Sequence, residues 1–152
     1  MRSPTLKHSK NEWRNYRGGA LVEFAIVLPL LLILVFGIIE FGLLLYNQAV
    51  ITNASREGAR AGIYYYTEAP HYLDDEEIAT IAENYCKDNL ISFGSDEPTA
   101  EAEQGSVTGD ELKVTVEYVY EFLVTSILIE NLPGVDEFGK IKLQAKTVML
   151  LE

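Results

Sequence analysis

The order of apolar and polar residues separates a membrane-type segment from an amphipathic remainder. From Phe24 to Tyr46 the sequence is apolar, with Glu40 as its only charged residue. At a rise of about 1.5 Å per residue this run covers about 34 Å, which exceeds a hydrocarbon layer of about 30 Å. The run is too long for the apolar core of a secretory signal peptide, and no small-residue cleavage site follows it promptly. The pattern therefore predicts a single transmembrane span over about residues 24–46.

The helical pattern continues beyond this span. No proline occurs between Asn47 and Ile63, and small residues recur there at spacings of three and four. Such spacing places them on one stripe of a helix, where another backbone can approach closely. The stripe consists of Ala54, Gly58, Ala61 and Gly62. We expect one long helix over residues 19–64, starting near Ala20, whose stripe packs on a partner or on the chain's own domain.

The remainder, residues 65–152, predicts a small α+β domain. Asp74 and the three acidic residues after it are typical of a helix start, and this second helix should end near Gly94. Its apolar face should comprise Ile78, Ile81, Ala82, Tyr85 and Cys86. Alternation predicts strands over 112–122 and 141–149, with a weak third over 99–104. The expected fold is a long N-terminal transmembrane helix leading into a second helix and a short antiparallel sheet.

Charge is distributed unevenly along the chain. Residues 1–18 contain five basic groups and one acidic group, a net charge of +4, whereas the remainder contains seven basic and 22 acidic groups, a net charge of −15. The positive-inside bias therefore predicts a cytoplasmic N-terminus and an extracytoplasmic C-terminal domain. The acidic body repels phosphate backbones, which argues against nucleic acid as a partner.

Candidate catalytic and metal-binding residues are few. His8 lies in the basic leader and His71 in a turn, and neither belongs to a recognisable catalytic or phosphate-binding pattern. Cys86 is the only cysteine, so no intrachain disulfide is available. We expect no enzymatic activity, no cofactor and no metal. The tyrosines around Tyr65 are open to two interpretations, loop packing or contact with a ligand or a neighbouring subunit.

Glu23 is the unusual residue, because it directly precedes a long stretch without charge. A carboxylate costs about 2.5–3.5 kcal/mol at the centre of a membrane helix, and less near the interface, so Glu23 should have a partner. The alternative is an interfacial acid at the start of an anchor. Glu40 lies about 100° around the helix from Glu23, so the two acids do not share a face. We expect Glu40 to snorkel or to face water.

These features resemble a prepilin, and specifically the minor pseudopilins of the TadE family from tight-adherence (type IVb-like) pilus systems. The matching motifs are Gly18-Gly19, Glu23-Phe24-Ala25, Leu28-Pro29-Leu30, Ile39-Glu40-Phe41-Gly42 and Asn53 to Arg60. The resemblance covers Arg17 to about Gly62 and reaches the acidic domain only in outline.

The resemblance implies cleavage by a prepilin peptidase between Gly18 and Gly19, which removes the basic leader 1–18. Glycine allows an extended backbone in a protease cleft. The new ammonium group at Gly19 would neutralise Glu23, which together with Phe24 would direct subunit assembly. Pro29 would kink or loosen the helix for extraction into a filament.

The implied partners are the prepilin peptidase, other pilins and pseudopilins, the pilus assembly platform and the lipid bilayer. The implied location is the bacterial cytoplasmic (inner) membrane, as a single-pass protein that is incorporated into the pilus. The alternative is a permanently membrane-anchored periplasmic module that binds a ligand or acts as a scaffold of the pilus or secretion machinery.

Overall fold

The computed structural model describes residues 12–67, 73–105, 109–123 and 139–151. The elements in chain order are α1 (Glu12–Thr67), α2 (Asp75–Asn89), β1 (Thr99–Gln104), β2 (Glu111–Glu121) and β3 (Lys140–Leu150). The expected α+β class is confirmed. The chain forms two compact units, Met1–Ile39 and Glu40–Glu152.

The three strands form one antiparallel sheet in the order β1-β2-β3. Alternate side chains of the central strand β2, from Leu112 to Tyr120, are at most 2% exposed and form the middle of the core. The weakly predicted strand is present as β1. Its pairing with β2 satisfies backbone groups, and its half-buried Ala100 and Ala102 pack against the core.

Helix α2 begins as the sequence predicts but ends earlier. The Glu77 amide donates to Asp74 Oδ1 at 2.8 Å and the Asp74 amide donates to Glu77 Oε2 at 3.1 Å, which is a complete capping box. The helix ends at Asn89 instead of near Gly94, with Leu90 already extended. The cause is tertiary, because the Asn47 side chain binds both backbone groups of Ile91. The predicted apolar face is confirmed: Ile78, Ala82 and Cys86 are buried, and Ile81 and Tyr85 are half-buried.

The second half of α1 packs on the chain's own domain. A Cβ atom added at Gly58 would lie 3.2 Å from Ala82 Cβ, and one at Gly62 would lie 2.6 Å from Leu112 Cδ2. Ala54 is fully buried on the same side of the helix, whereas Ala61 is half-buried. The small residues therefore let α1 approach α2 and β2 closely.

Helix α1 also begins earlier than expected, at Glu12 instead of near Ala20. Residues 12–20 contain no proline, so nothing in this stretch forces a break in the helix. As a result Gly18 and Gly19 lie within α1. The leader residues 1–11 lie outside the described residues.

The close approach at Gly62 generates a prediction about stability. Gly62→Val should lower the free energy of unfolding by about 1–3 kcal/mol, the usual cost of overpacking, because its side chain would overlap Leu112 and Ile78. Denaturant unfolding of the detergent-solubilised protein measures this change. Gly42→Val is the matched control, since a Cβ at Gly42 meets no atom within 4 Å. Equal effects of the two substitutions would contradict the packing described here.

Candidate processing and assembly site

The two glycines at the expected cleavage position are exposed and in helical backbone. A Cβ atom at Gly18 or Gly19 would meet nothing within 4 Å, so packing within the described chain does not require glycine at either position. Since the backbone here is helical, a protease that binds extended chain must unwind this turn. Each glycine makes the helix about 1 kcal/mol less favourable than alanine would, which eases unwinding.

Glu23 and Phe24 lie on the same exposed stretch of helix. Glu23 makes no hydrogen bond or ion pair with any residue in the described part of the chain. Its neighbours Leu21 and Val22 are apolar and more than 60% exposed, as is Ile26. Within the described residues, this carboxylate therefore lies on an exposed apolar helix without a partner.

Pro29 lies inside α1, and the helix continues through it. Proline has no amide hydrogen, so the carbonyl of Ala25 lacks its usual donor four residues ahead. Every side chain from residue 29 to residue 39 is exposed. One helix of the described chain, α1, is long and apolar enough to cross a membrane, which is consistent with a single-pass anchor.

The exposed apolar stretch stops at Glu40, which is only 7% exposed. Its Oε2 atom accepts a hydrogen bond from the hydroxyl of Tyr120 at 2.9 Å. The expectation that Glu40 snorkels or faces water is therefore wrong, because this side of α1 packs on the sheet. Burial, followed by the hydrogen bond to Glu40, raises the pKa of the Tyr120 phenol. The phenol therefore remains a hydrogen-bond donor at neutral pH.

Further polar contacts join this part of α1 to the domain. The hydroxyl of Tyr46 donates to the Asn89 carbonyl at 3.0 Å. Asn47 is fully buried, and its amide donates to the Ile91 carbonyl at 2.7 Å while its oxygen accepts from the Ile91 amide at 3.1 Å. The Ser55 and Thr147 hydroxyls lie 2.8 Å apart. Sequence reasoning missed these residues, although a polar residue directly after an apolar run was an available signal at Asn47.

These contacts shorten the part of α1 that is free to face lipid on all sides. The predicted span of residues 24–46 includes Glu40, whose side chain belongs to the core of the domain. Residues 24–39 form the uncharged stretch before it, with a length of about 24 Å against a hydrocarbon layer of about 30 Å. Phe41 and Leu45 remain more than half exposed on other sides of the helix.

The structure describes some of the other candidate groups and not others. No three His, Cys, Asp or Glu side chains among the described residues are arranged to hold a metal ion. Burial, followed by the charge of Glu83, raises the pKa of the Cys86 thiol to about 11, so it stays protonated in the core. His8, His71 and the side chain of Tyr65 lie outside the described residues.

The hydrogen bond between Glu40 and Tyr120 can be tested directly. Tyr120→Phe keeps the ring next to Phe122 but removes the donor to Glu40. We expect the free energy of unfolding to fall by about 1.5–3 kcal/mol, the range for hydrogen bonds to charged groups. Tyr46→Phe removes an exposed hydroxyl–carbonyl bond and should cost about 1 kcal/mol or less. Denaturant unfolding compares the two, and a smaller effect of Tyr120→Phe would refute the role of this bond.

Comparison with known protein families agrees with the resemblance noted in the sequence. Residues 18–60 match the model of a family described as TadE-like protein. The match ends within α1, so α2 and the sheet lie outside it. No curated protein and no solved structure matches the chain. The part of α1 that carries Gly18, Glu23 and Pro29 is therefore similar to TadE-like proteins.

Proposed function

We propose that this protein is a pseudopilin (minor pilin) that a prepilin peptidase processes and that takes part in assembly of a tight-adherence-type pilus. The family match already suggests a pilus-associated protein of the Tad system. The observation that carries the finer proposal is Glu23, an exposed carboxylate without a partner in the described chain, placed at the start of an exposed apolar helix.

The proposed processing step is hydrolysis of the peptide bond between Gly18 and Gly19. Water adds across this bond, so that Gly18 ends in a carboxylate and Gly19 begins with an ammonium group. The leader removed carries a net charge of +4. Its loss converts a basic cytoplasmic end into a single positive charge four residues before Glu23.

The proposed assembly step pairs Glu23 with an ammonium group at Gly19, either its own or that of a neighbouring subunit. In a bundle of apolar helices the local dielectric is low, so an unpaired carboxylate is costly and a paired one fixes the helix register. The exposed apolar side chains from Phe24 onward would be covered by neighbouring pilins or pseudopilins instead of lipid. We assign the protein no catalytic activity and place its acidic domain on the extracytoplasmic side of the inner membrane.

Cleavage can be tested at the scissile glycine. Gly18→Leu should leave a full-length precursor in the membrane, because the bulkier side chain blocks close approach of the peptidase to the backbone. Gly37→Leu is the matched control, since Gly37 is also an exposed glycine of α1 with nothing within 4 Å. Intact mass of each variant, produced in cells that carry the native peptidase, gives the result. Normal loss of residues 1–18 from Gly18→Leu would contradict the assignment.

Assembly can be tested at Glu23 without touching the cleavage site. Glu23→Gln should insert and be cleaved normally but should be absent from sheared pili, because a neutral side chain cannot pair with the ammonium group. Glu57→Gln removes another acid from α1, one that pairs with the exposed Arg60 at 2.9 Å, and should incorporate normally. Immunoblots of sheared and membrane fractions measure both variants. Incorporation of Glu23→Gln at the normal level would favour the permanently anchored module instead.

A further inference from the structure

A group of exposed apolar side chains lies on α1 just beyond Ile39 and on the elements next to it. On α1 these side chains are between 45% and 61% exposed, and on the α2–β1 connection and β3 they are between 38% and 43% exposed. We call this group the apolar collar; it consists of Phe41, Leu45, Tyr46, Ile91, Phe93 and Ile141.

Three contacts place the collar at one end of the domain, the end at Glu40. Ile141 lies opposite Tyr120 in the β2–β3 register, and Tyr120 binds Glu40. Ile91 is held by Asn47, which lies about 10 Å along the helix from Glu40. After Phe93, Gly94 lies next to the side chain of Glu121, so the connection stays at this end of the sheet.

The negative charge beside the collar is partly compensated by a lysine. The two carboxylates beside it, Asp96 and Glu121, both bind Lys140, the former at 3.1 Å. The three groups together carry a net charge of −1, in a body whose net charge is −15. At the other end of the sheet Leu150 is also exposed, but it lies opposite Glu111 and about 30 Å along β3 from Ile141.

We propose that the apolar collar is a lipid-contact surface, which seats the domain on the headgroup layer of the bilayer that α1 crosses. The uncharged residues 24–39 cover about 24 Å of a hydrocarbon layer of about 30 Å, so the outer boundary of that layer lies close to Glu40, where the collar begins. Tyrosine, here Tyr46, is favoured in this layer, and phenylalanines such as Phe41 and Phe93 supply apolar surface at its boundary with the acyl chains. The proposal rests on membrane anchoring by α1, and it is independent of cleavage and of filament assembly.

Fluorescence in vesicles tests this contact with the full-length chain. Trp13 is the only tryptophan, so Trp13→Phe gives a silent background. In that background, Phe93→Trp reports on the collar and Leu150→Trp reports on the far end of the domain. Each protein is reconstituted at low protein-to-lipid ratio into phosphatidylcholine vesicles, with and without bromine atoms on the acyl chains near the headgroup. Ile141→Trp provides a second probe of the collar on a different element.

We expect brominated lipid to quench the tryptophan at positions 93 and 141 several-fold more strongly than the tryptophan at position 150. Absence of quenching at 93 and 141 would overturn the proposal. Equal quenching at all three positions would also overturn it, because the domain would then contact lipid without using the collar. An emission shift to shorter wavelength without bromine quenching would indicate contact with another copy of the chain and would likewise refute lipid contact. Because the vesicles contain neither peptidase nor other pilins, none of these outcomes depends on the proposed pilus function.

Discussion

The burial of Glu40 against the hydroxyl of Tyr120 is the constraint on which the rest of the domain depends. A carboxylate is costly to bury without a donor, and Tyr120 supplies one from the central strand of the sheet. This contact fixes the point at which α1 changes from an exposed apolar helix to a packed one. Beyond it, Asn47 hydrogen-bonds to Ile91 just after the end of α2. The glycines of α1 allow α2 and β2 to pack closely against it, which continues the packing of α1 on the domain.

The elements of the fold were largely predictable because their signals are local. Apolar runs, the acidic cap at Asp74 and the alternation in β2 and β3 depend on near neighbours in sequence, and the structure contains all of them. The end of α2 was not predictable in this way. It is set by Asn47, which is 44 residues away from Ile91 in sequence, and no local pattern carries that information. The prediction that the Glu40 side chain faces water was wrong for the same reason, since its partner lies 80 residues away in sequence.

For the candidate site, the sequence was more informative than the contacts within the structure. Gly18, Glu23 and Pro29 stand out in the sequence through composition and spacing alone, and the family match covers them. The structure adds that the glycines and Glu23 are exposed and that Glu23 has no partner in the described chain. This is expected of residues that act on other molecules, because the fold of one chain needs only to present them. The domain from α2 onward has the converse property: its packing is well defined, whereas its sequence gives no sign of what it recognises.

The most direct test of processing, the claim that separates a pseudopilin from a permanent anchor, is the N-terminal sequence or intact mass of the wild-type protein. The protein should be purified from membranes of cells that carry its own peptidase. A start at Gly19, with the first 18 residues absent, is the result predicted here. A start at Met1 would contradict prepilin-type processing and would leave an uncleaved, membrane-anchored module as the better description.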